Sequence, residues 1–294
     1  MPPAHRPAPL VGRVFLGRTA CERGWVTPEQ LRSAVWRRVM RGVYADAALP
    51  DTHGLRLAAA RLVLPPAAVV AGRSAAWLLG AREAADASTP VEVLVPREHR
   101  FGPVTGLRIR QGVVDPADVT ELRGLRFTAG LRTASDAARW EPTLEAVVLV
   151  DLLLARGAVE HAALRRTVPG LAGPGSRRAV RAVELADGRA ESPQESRARV
   201  LLVRAGFPVV PQFEVRDHDG RWVARVDLAL PDLRIAVEYD GAWHGEGGQL
   251  AKDRRRLNRL TEAGWLVLHL TAADLRRPDE VVTRVRALVA LRAR

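Results

Sequence analysis

The residues best suited to chemistry are acids in one short stretch, residues 221–241, which reads RWVARVDLALPDLRIAVEYDG. Two runs rich in Val, Ile and Leu flank residues 230–233, Leu-Pro-Asp-Leu. Proline at the second position of such a tetrapeptide favours a type I turn. Four-residue loops of this kind commonly close a β-hairpin. The stretch therefore predicts an antiparallel hairpin that carries several carboxylates.

The register of this hairpin brings two of the acids together. If Leu230 and Ile235 form the last pair before the loop, Asp227 lies opposite Glu238. Directly opposed side chains have Cβ atoms roughly 4.5–5.5 Å apart, and like charges placed there destabilise a sheet. A hairpin built this way favours a bound cation between the two acids. Asp240 shares the face of Glu238, because side chains alternate with period two, and either joins this cluster or pairs with Arg225 opposite.

Other polar side chains flank the hairpin. Glu195 is the third residue after Ser192, where a glutamate commonly caps the start of a helix. His244 lies in the glycine-rich segment GAWHGEGG and is either functional or simply exposed. One face of the helix predicted for residues 249–263 carries four basic residues that either bind phosphate or face solvent, while Leu250, Leu257 and Leu260 are expected to pack on the sheet. The four basic residues are Lys252, Arg255, Arg256 and Arg259.

Composition points to a polyanionic partner. The chain has 294 residues, a formal net charge of +12 and a pI near 11.3. Such a charge is typical of nucleic-acid-binding proteins. Since Lys252 is the only lysine, an arginine-rich coding bias is the alternative explanation.

The compartment is predicted from cysteine usage and hydropathy. Cys21 is the only cysteine, which excludes an intrachain disulfide and a cysteine-based zinc site. The N-terminal sequence MPPAHRPAPLVGR lacks the apolar core of a signal peptide. The most apolar helix predicted, residues 144–154, is too short to span a bilayer. We expect a cytoplasmic protein with no membrane partner.

The elements predicted for residues 1–52 are those of a winged helix-turn-helix. A helix over residues 10–22 precedes a second helix that begins at Thr27 with Gln30 completing a capping box. A basic β-wing follows over residues 36–45. Four arginines there are expected to contact phosphates, unless the segment is a helical cap whose arginines are only solvated. They are Arg32, Arg37, Arg38 and Arg41.

Residues 53–186 are predicted to form a mixed α/β middle domain that ends in a Gly- and Pro-rich linker at residues 170–176. It contains no convergent set of chemical groups, and His53 and His99 are expected at the surface or in turns. The helices and strands predicted here are residues 55–64, 74–79, 91–95, 107–110 and 144–154.

Residues 187–294 are predicted to form a compact α/β domain with the element order αβββαβα. The first helix begins at Ser192 and ends at Gly206, a glycine typical of a helix C-terminus. Residues 265–270, WLVLHL, are apolar throughout, as expected for a strand whose sheet is covered on both faces.

This domain resembles the Vsr-like branch of the PD-(D/E)XK endonuclease superfamily, with a restriction-endonuclease-like fold. The resemblance rests on SPxES at residues 192–196, a strand acid at Asp227, ExDG at residues 238–241, His244 and a GW-apolar strand. The N-terminal part resembles, more weakly, AbiEi-type antitoxins, through WRRVMRGVYA and the α/β segment after it.

The nuclease resemblance implies roles for particular residues. Asp227 and Glu238 match the two strand acids and Glu195 the acid on the preceding helix, and together they would bind Mg²⁺ or Mn²⁺. Such ions prefer carboxylate oxygens and can polarise a scissile phosphate. Asp240 stands where the family usually has a lysine that activates water. His244 or Lys252 is then expected to activate the water instead.

Two functions follow as expectations. The first is a metal-dependent DNA endonuclease, docked on DNA by its N-terminal domain. The alternative is a non-catalytic, antitoxin-type DNA-binding regulator with a degenerate nuclease fold, which Asp240 favours. The sequence specifies neither the DNA recognised, nor the oligomeric state, nor a toxin partner.

Overall fold

A computed structural model describes residues 6–241 and 249–293, with the side chains of residues 249–253 left aside. The chain is mixed α/β, as predicted, and divides into two compact units. One unit is Met1–Ala137 with Ala158–Leu164, and the other is Ala138–Gly157 with Arg165–Arg294. No helix within the described ranges is both long and apolar enough to cross a membrane.

The first unit begins with a small three-stranded antiparallel sheet in the order β1-β3-β2. Phe15 and Trp36 meet edge to face in its core, with ring centroids 5.2 Å apart. The elements are β1 (Val14–Leu16), α1 (Gly17–Glu22), β2 (Trp36–Met40) and β3 (Val43–Asp46).

The two N-terminal helices predicted from sequence are largely wrong, whereas the strands predicted over residues 36–45 are confirmed as the pair β2 and β3. Residues 10–22 form a strand and then the six-residue α1. Thr27 and Gln30 do exchange the hydrogen bonds of a capping box, but only one 3₁₀ turn, Gln30–Arg32, follows. Ser33 is already extended, because the chain must deliver the buried Trp36 to β2. In residues 6–52 no second α-helix of a helix-turn-helix is present.

A second, five-stranded sheet in the order β6-β5-β4-β8-β7 completes this unit. Helices 55–64 and 74–79 and strands 91–95 and 107–110 are confirmed to within a few residues. The prediction for His53 is wrong: it is buried, and its Nε2 lies 2.9 Å from Ser74 Oγ. The elements are α2 (His53–Arg61), β4 (Val69–Val70), α3 (Gly72–Leu78), β5 (Val91–Val95), β6 (Leu107–Gln111), β7 (Val119–Leu122), β8 (Leu125–Thr128) and α4 (Gly130–Trp140).

The second unit is built on a four-stranded sheet in the order β12-β11-β10-β9, in which only β11 and β12 are parallel. The element order predicted for residues 187–294 is confirmed, with one short helix, α10, added before the last. The elements are α5 (Thr143–Ala155), α6 (His161–Thr167), α7 (Ser176–Leu185), α8 (Pro193–Arg204), β9 (Val210–Arg216), β10 (Trp222–Leu230), β11 (Ile235–Tyr239), α9 (Gln249–Glu262), β12 (Leu266–Leu270), α10 (Ala272–Leu275) and α11 (Pro278–Arg292).

Helices pack on both faces of this sheet. Leu202 of α8 and Val281 of α11 share one core cluster with Leu228 of β10. Leu260 of α9 belongs to a second cluster with Ala229, whose side chain points to the opposite face from that of Leu228. Coverage on both faces explains why β12 is almost entirely apolar.

The predicted hairpin register is confirmed. Leu230 pairs with Ile235 and Leu228 with Val237, so Asp227 and Glu238 are the next residues along the two strands. The loop is a 3₁₀ turn, Pro231–Leu233, and Arg234 closes it with a φ of 47°. The hairpin therefore presents Asp227 and Glu238 on the same face of the sheet as Ala229 and the packed helix α9.

Candidate functional site

Asp227 lies at the centre of the candidate site, on the inner strand β10. The N–H of Tyr239 donates to its Oδ2 across 2.8 Å. Burial and the charges of Glu195 and Glu238 together raise the pKa of Asp227 to about 6, against the opposing effects of the Tyr239 N–H and of Arg256. The three acids predicted from sequence therefore lie close enough for their charges to interact.

Glu195 does more than cap its helix. Its backbone N–H donates to Ser192 Oγ across 3.2 Å, as the predicted cap requires. Its carboxylate, however, accepts from the N–H of Glu191 at 2.9 Å, one residue before the cap, and from Gln212 Nε2 at 2.8 Å. The second bond ties the carboxylate to strand β9, and both bonds fall on Oε2.

Gln212 is a site residue that the sequence prediction missed. The pairs Val226–Phe213 and Leu228–Pro211 place it opposite Asp227, on the strand edge away from β11. Its φ of 51° is left-handed, a rare conformation for a residue other than glycine. Gln212 therefore combines a hydrogen bond to an acid with an unusual backbone conformation. Such conformations cluster at functional sites. The only sequence signal was a polar residue directly after Pro211 in the predicted strand.

Glu238 is buried and bound by an arginine. Arg256 Nη1 donates to Glu238 Oε2 at 2.7 Å, and Nη2 donates to Oε1 at 2.5 Å. Nη2 also donates to the carbonyl oxygen of Arg225 at 2.8 Å. Arg256 was predicted to contact phosphate, and Glu238 was predicted to bind metal. In the structure these two side chains bind each other.

Asp240 and Arg225 do not form the ion pair that was one of the two alternatives. Asp240 lies beside His269, whose Nδ1 is 3.1 Å from Asp240 Oδ2. Arg225 instead donates to Glu191 Oε1 at 2.7 Å. His269 is opposite Glu238 in the parallel pairing of β11 and β12, so it shares the face of the acids. It is a second residue that the sequence prediction missed.

Two predicted site residues cannot be placed. His244 lies outside the described residues. Lys252 belongs to α9, but its side chain is among those left aside. Their proposed roles in activating water stay predictions.

The predicted phosphate-binding arginines are mostly exposed. Arg255 and Arg259 are exposed on α9, and Arg32, Arg38 and Arg41 are exposed in the first unit. Arg37 is half-buried and donates to the carbonyl oxygen of Ala47 at 3.2 Å. On α9, Leu260 is buried as predicted, whereas Leu257 is 40% exposed, so its predicted packing on the sheet is wrong. Leu250 is among the side chains left aside.

The carboxylates partly fit a hard divalent cation. Their chemistry is suitable, since Mg²⁺ and Mn²⁺ prefer carboxylate oxygens. Within the described part of the chain, the hydrogen bonds to Glu195 and Asp227 use one oxygen each, Oε2 and Oδ2. In Glu238 both oxygens accept from Arg256. Among the described residues no three His, Cys, Asp or Glu side chains are arranged to hold a metal.

A buried ion pair holds the helix that carries Glu195. Arg199 of α8 donates to Asp151 Oδ2 of α5 at 2.8 Å, and Ser196 Oγ donates to the same oxygen at 2.7 Å. The N–H of Asp187 donates to Asp151 Oδ1 at 2.7 Å. Since Asp151 and Arg199 are almost fully buried, this network fixes α8 on α5 and so fixes the backbone of Glu195.

Comparison with known proteins identifies two relatives in Mycobacterium tuberculosis. They are Uncharacterized protein MT2308 of strain CDC 1551 / Oshkosh and Uncharacterized protein Rv2248 of strain ATCC 25618 / H37Rv. Each is 34% identical over 268 residues, an alignment that covers 87% of this chain and 93% of the relative. No family model matches the chain, and no solved structure matches it significantly.

Proposed function

The chain belongs to the same family as these two mycobacterial proteins, and we propose that it is a metal-dependent DNA endonuclease that hydrolyses phosphodiester bonds. The observation that carries the proposal is the cluster of three acids: Asp227 and Glu238 lie beside each other on paired strands, and Glu195 is near enough for its charge to help raise the pKa of Asp227 to about 6. A shifted pKa at a cluster of acids is typical of functional sites. The αβββαβ order of the same unit agrees with the resemblance to Vsr-like nucleases.

The roles of the chain's own residues follow from their contacts. Asp227 and Glu195 would hold the cation, which would polarise the scissile phosphate when bound. Gln212 orients Glu195 by donating to Oε2, leaving Oε1 for a ligand. Exposed arginines of α9, Arg255 and Arg259, would hold neighbouring phosphates.

A carboxylate–imidazole pair could replace the family's missing lysine. Asp240 stands at the lysine position, and its carboxylate lies 3.1 Å from His269 Nδ1. A histidine oriented by a carboxylate at one ring nitrogen can accept a proton at the other. His269 therefore joins His244 and Lys252 as a proposed water-activating residue.

The test is cleavage of plasmid DNA with Mg²⁺ or Mn²⁺. We expect nicking that is abolished by EDTA and by Asp227→Ala. Asp232→Ala is the matched control, since Asp232 is an exposed acid in the loop of the same hairpin, and it should cleave like wild type. Absence of cleavage with either metal, in a folded protein that still binds DNA, would refute the nuclease proposal.

The second proposal is an antitoxin-type, non-catalytic DNA-binding regulator with a degenerate nuclease fold. The observation in its favour is the Glu238–Arg256 pair, which neutralises a predicted metal ligand internally. Asp240 in place of lysine points the same way. DNA binding that is insensitive to EDTA, without cleavage, would support this function. The predicted cytoplasmic location is a further proposal.

A further inference from the structure

Arg256 occupies the position where the acid cluster requires a cation. Its guanidinium donates to both oxygens of Glu238 and to the carbonyl oxygen of Arg225, at distances of 2.5 to 2.8 Å. Glu238 keeps only 7% of its side chain exposed, whereas Arg256 keeps 35%. The carboxylate is therefore held inside the protein, while part of the Arg256 side chain reaches solvent.

This bidentate contact opposes the binding of a divalent cation at Glu238. A cation bound by Glu238 would need the carboxylate oxygens that accept hydrogen bonds from Arg256. A bound divalent cation and the guanidinium would also repel each other, because both carry positive charge. A metal and Arg256 thus compete for Glu238.

We propose that Arg256 is the resident counter-ion of Glu238 and that a divalent cation binds through Glu238 only by displacing it. The inference rests on the proposed metal-dependent function. In it, Arg256 controls access of the metal to Glu238 by leaving or staying on that carboxylate. An arginine suits this role because phosphate is a second bidentate acceptor for its guanidinium. A backbone phosphate of the substrate is therefore the group that can compete with Glu238 for the guanidinium of Arg256.

The competing explanation is a permanent ion pair that fixes α9 to β11. In that case Arg256 would stay on Glu238, and any metal would bind without Glu238. The two explanations differ in what happens to metal affinity when the guanidinium is removed.

The experiment is calorimetric titration of the full chain with Mn²⁺. We expect Arg256→Gln to bind Mn²⁺ roughly tenfold or more tightly than wild type, because a positive charge next to a ligand is removed. Arg254→Gln is the matched control, because Arg254 is exposed on the same helix and its replacement removes the same charge. It should bind Mn²⁺ like wild type.

Thermal melting provides a second measurement, since Arg256→Gln leaves Glu238 buried without its partner. Without metal, the variant should melt below wild type, and Mn²⁺ should raise its Tm more than it raises that of wild type. The double variant Glu238→Gln/Arg256→Gln should regain the metal-free Tm but lose the additional Mn²⁺ effect.

The outcomes separate this inference from the proposed function. Equal or weaker Mn²⁺ binding by Arg256→Gln, with binding by wild type, would overturn the inference and leave the metal-dependent function standing. Absence of Mn²⁺ binding by both wild type and Arg256→Gln would overturn the function together with the inference. Tighter binding by Arg256→Gln that Glu238→Gln abolishes would support it.

Discussion

Gln212 donates its side-chain amide to Glu195 Oε2 across 2.8 Å, and it does so from a backbone with a φ of 51°. A left-handed conformation costs a residue with a Cβ about 1–2 kcal/mol. The strand accepts this cost at the position opposite Asp227 in the pairing of β9 with β10. The strained residue thus binds one of the three acids and lies opposite another.

Replacement of Gln212 separates its side-chain role from its backbone strain. Both Gln212→Ala and Gln212→Gly remove the amide, so both should weaken Mn²⁺ binding by a similar factor. Gln212→Gly should be more stable than Gln212→Ala by about 1 kcal/mol, because glycine adopts the left-handed conformation readily. Urea denaturation and Mn²⁺ titration measure the two effects. Equal stability of the two variants would show that the backbone strain is absent.

Asp227→Asn should stabilise the metal-free protein at alkaline pH. The pKa of Asp227 is about 6 in the folded chain, against about 3.8 when unfolded. Since the folded state then holds the proton more tightly, stability falls as the pH rises from about 4 to 6 and stays lower above it. We expect Asp227→Asn to gain roughly 2–3 kcal/mol at pH 8 in EDTA and almost nothing at pH 4.

Asp232→Asn provides the control for this pH dependence. It removes the same charge from the exposed loop of the same hairpin, so its stability relative to wild type should not change with pH. Urea denaturation between pH 4 and pH 8 is the measurement. A constant difference between Asp227→Asn and wild type over this range would contradict the raised pKa.

The sequence predicted the acid hairpin correctly because its register depends on local patterns. Alternation of apolar residues and the turn at Pro231 determine which residues pair, and those signals lie within a few residues of one another. The capped start of α8 at Ser192 was predictable for the same reason. The sequence therefore predicted that Glu195 lies on a helix, but it did not predict the contact between Glu195 and Gln212.

The partners of the acids were not predictable from local patterns. Arg256 reaches Glu238 from a helix 18 residues away in sequence, and His269 reaches Asp240 from a strand 29 residues away. Both contacts depend on how α9 and β12 pack on the sheet. The N-terminal helix predicted from Thr27 failed for a related reason, since burial of Trp36 against Phe15 overrides a correct local cap.

The buried pair between Asp151 and Arg199 should dominate the stability of α8. Arg199→Met leaves Asp151 charged and buried without its partner, which costs about 3–5 kcal/mol. Asp151→Asn/Arg199→Met removes both charges and keeps an oxygen that can accept from the N–H of Asp187 and an amide that can donate to Ser196 Oγ, so it should recover more than half of that loss. Urea denaturation followed by circular dichroism measures both variants. A double variant as unstable as Arg199→Met would show that the charge pair is not the cause.

The exposed arginines of α9 should govern the salt dependence of DNA binding. Each phosphate contact contributes about 0.9 to the slope of log K against log salt concentration. If Arg255 and Arg259 each bind one phosphate, Arg255→Gln/Arg259→Gln should lower the slope by about 1.8 and weaken binding to all sequences alike. Arg38→Gln/Arg41→Gln tests in the same way whether the β2–β3 region of the first unit contacts phosphates. Fluorescence anisotropy with a labelled duplex between 50 and 200 mM salt gives the slopes, and an unchanged slope in either variant would exclude that surface from the DNA interface.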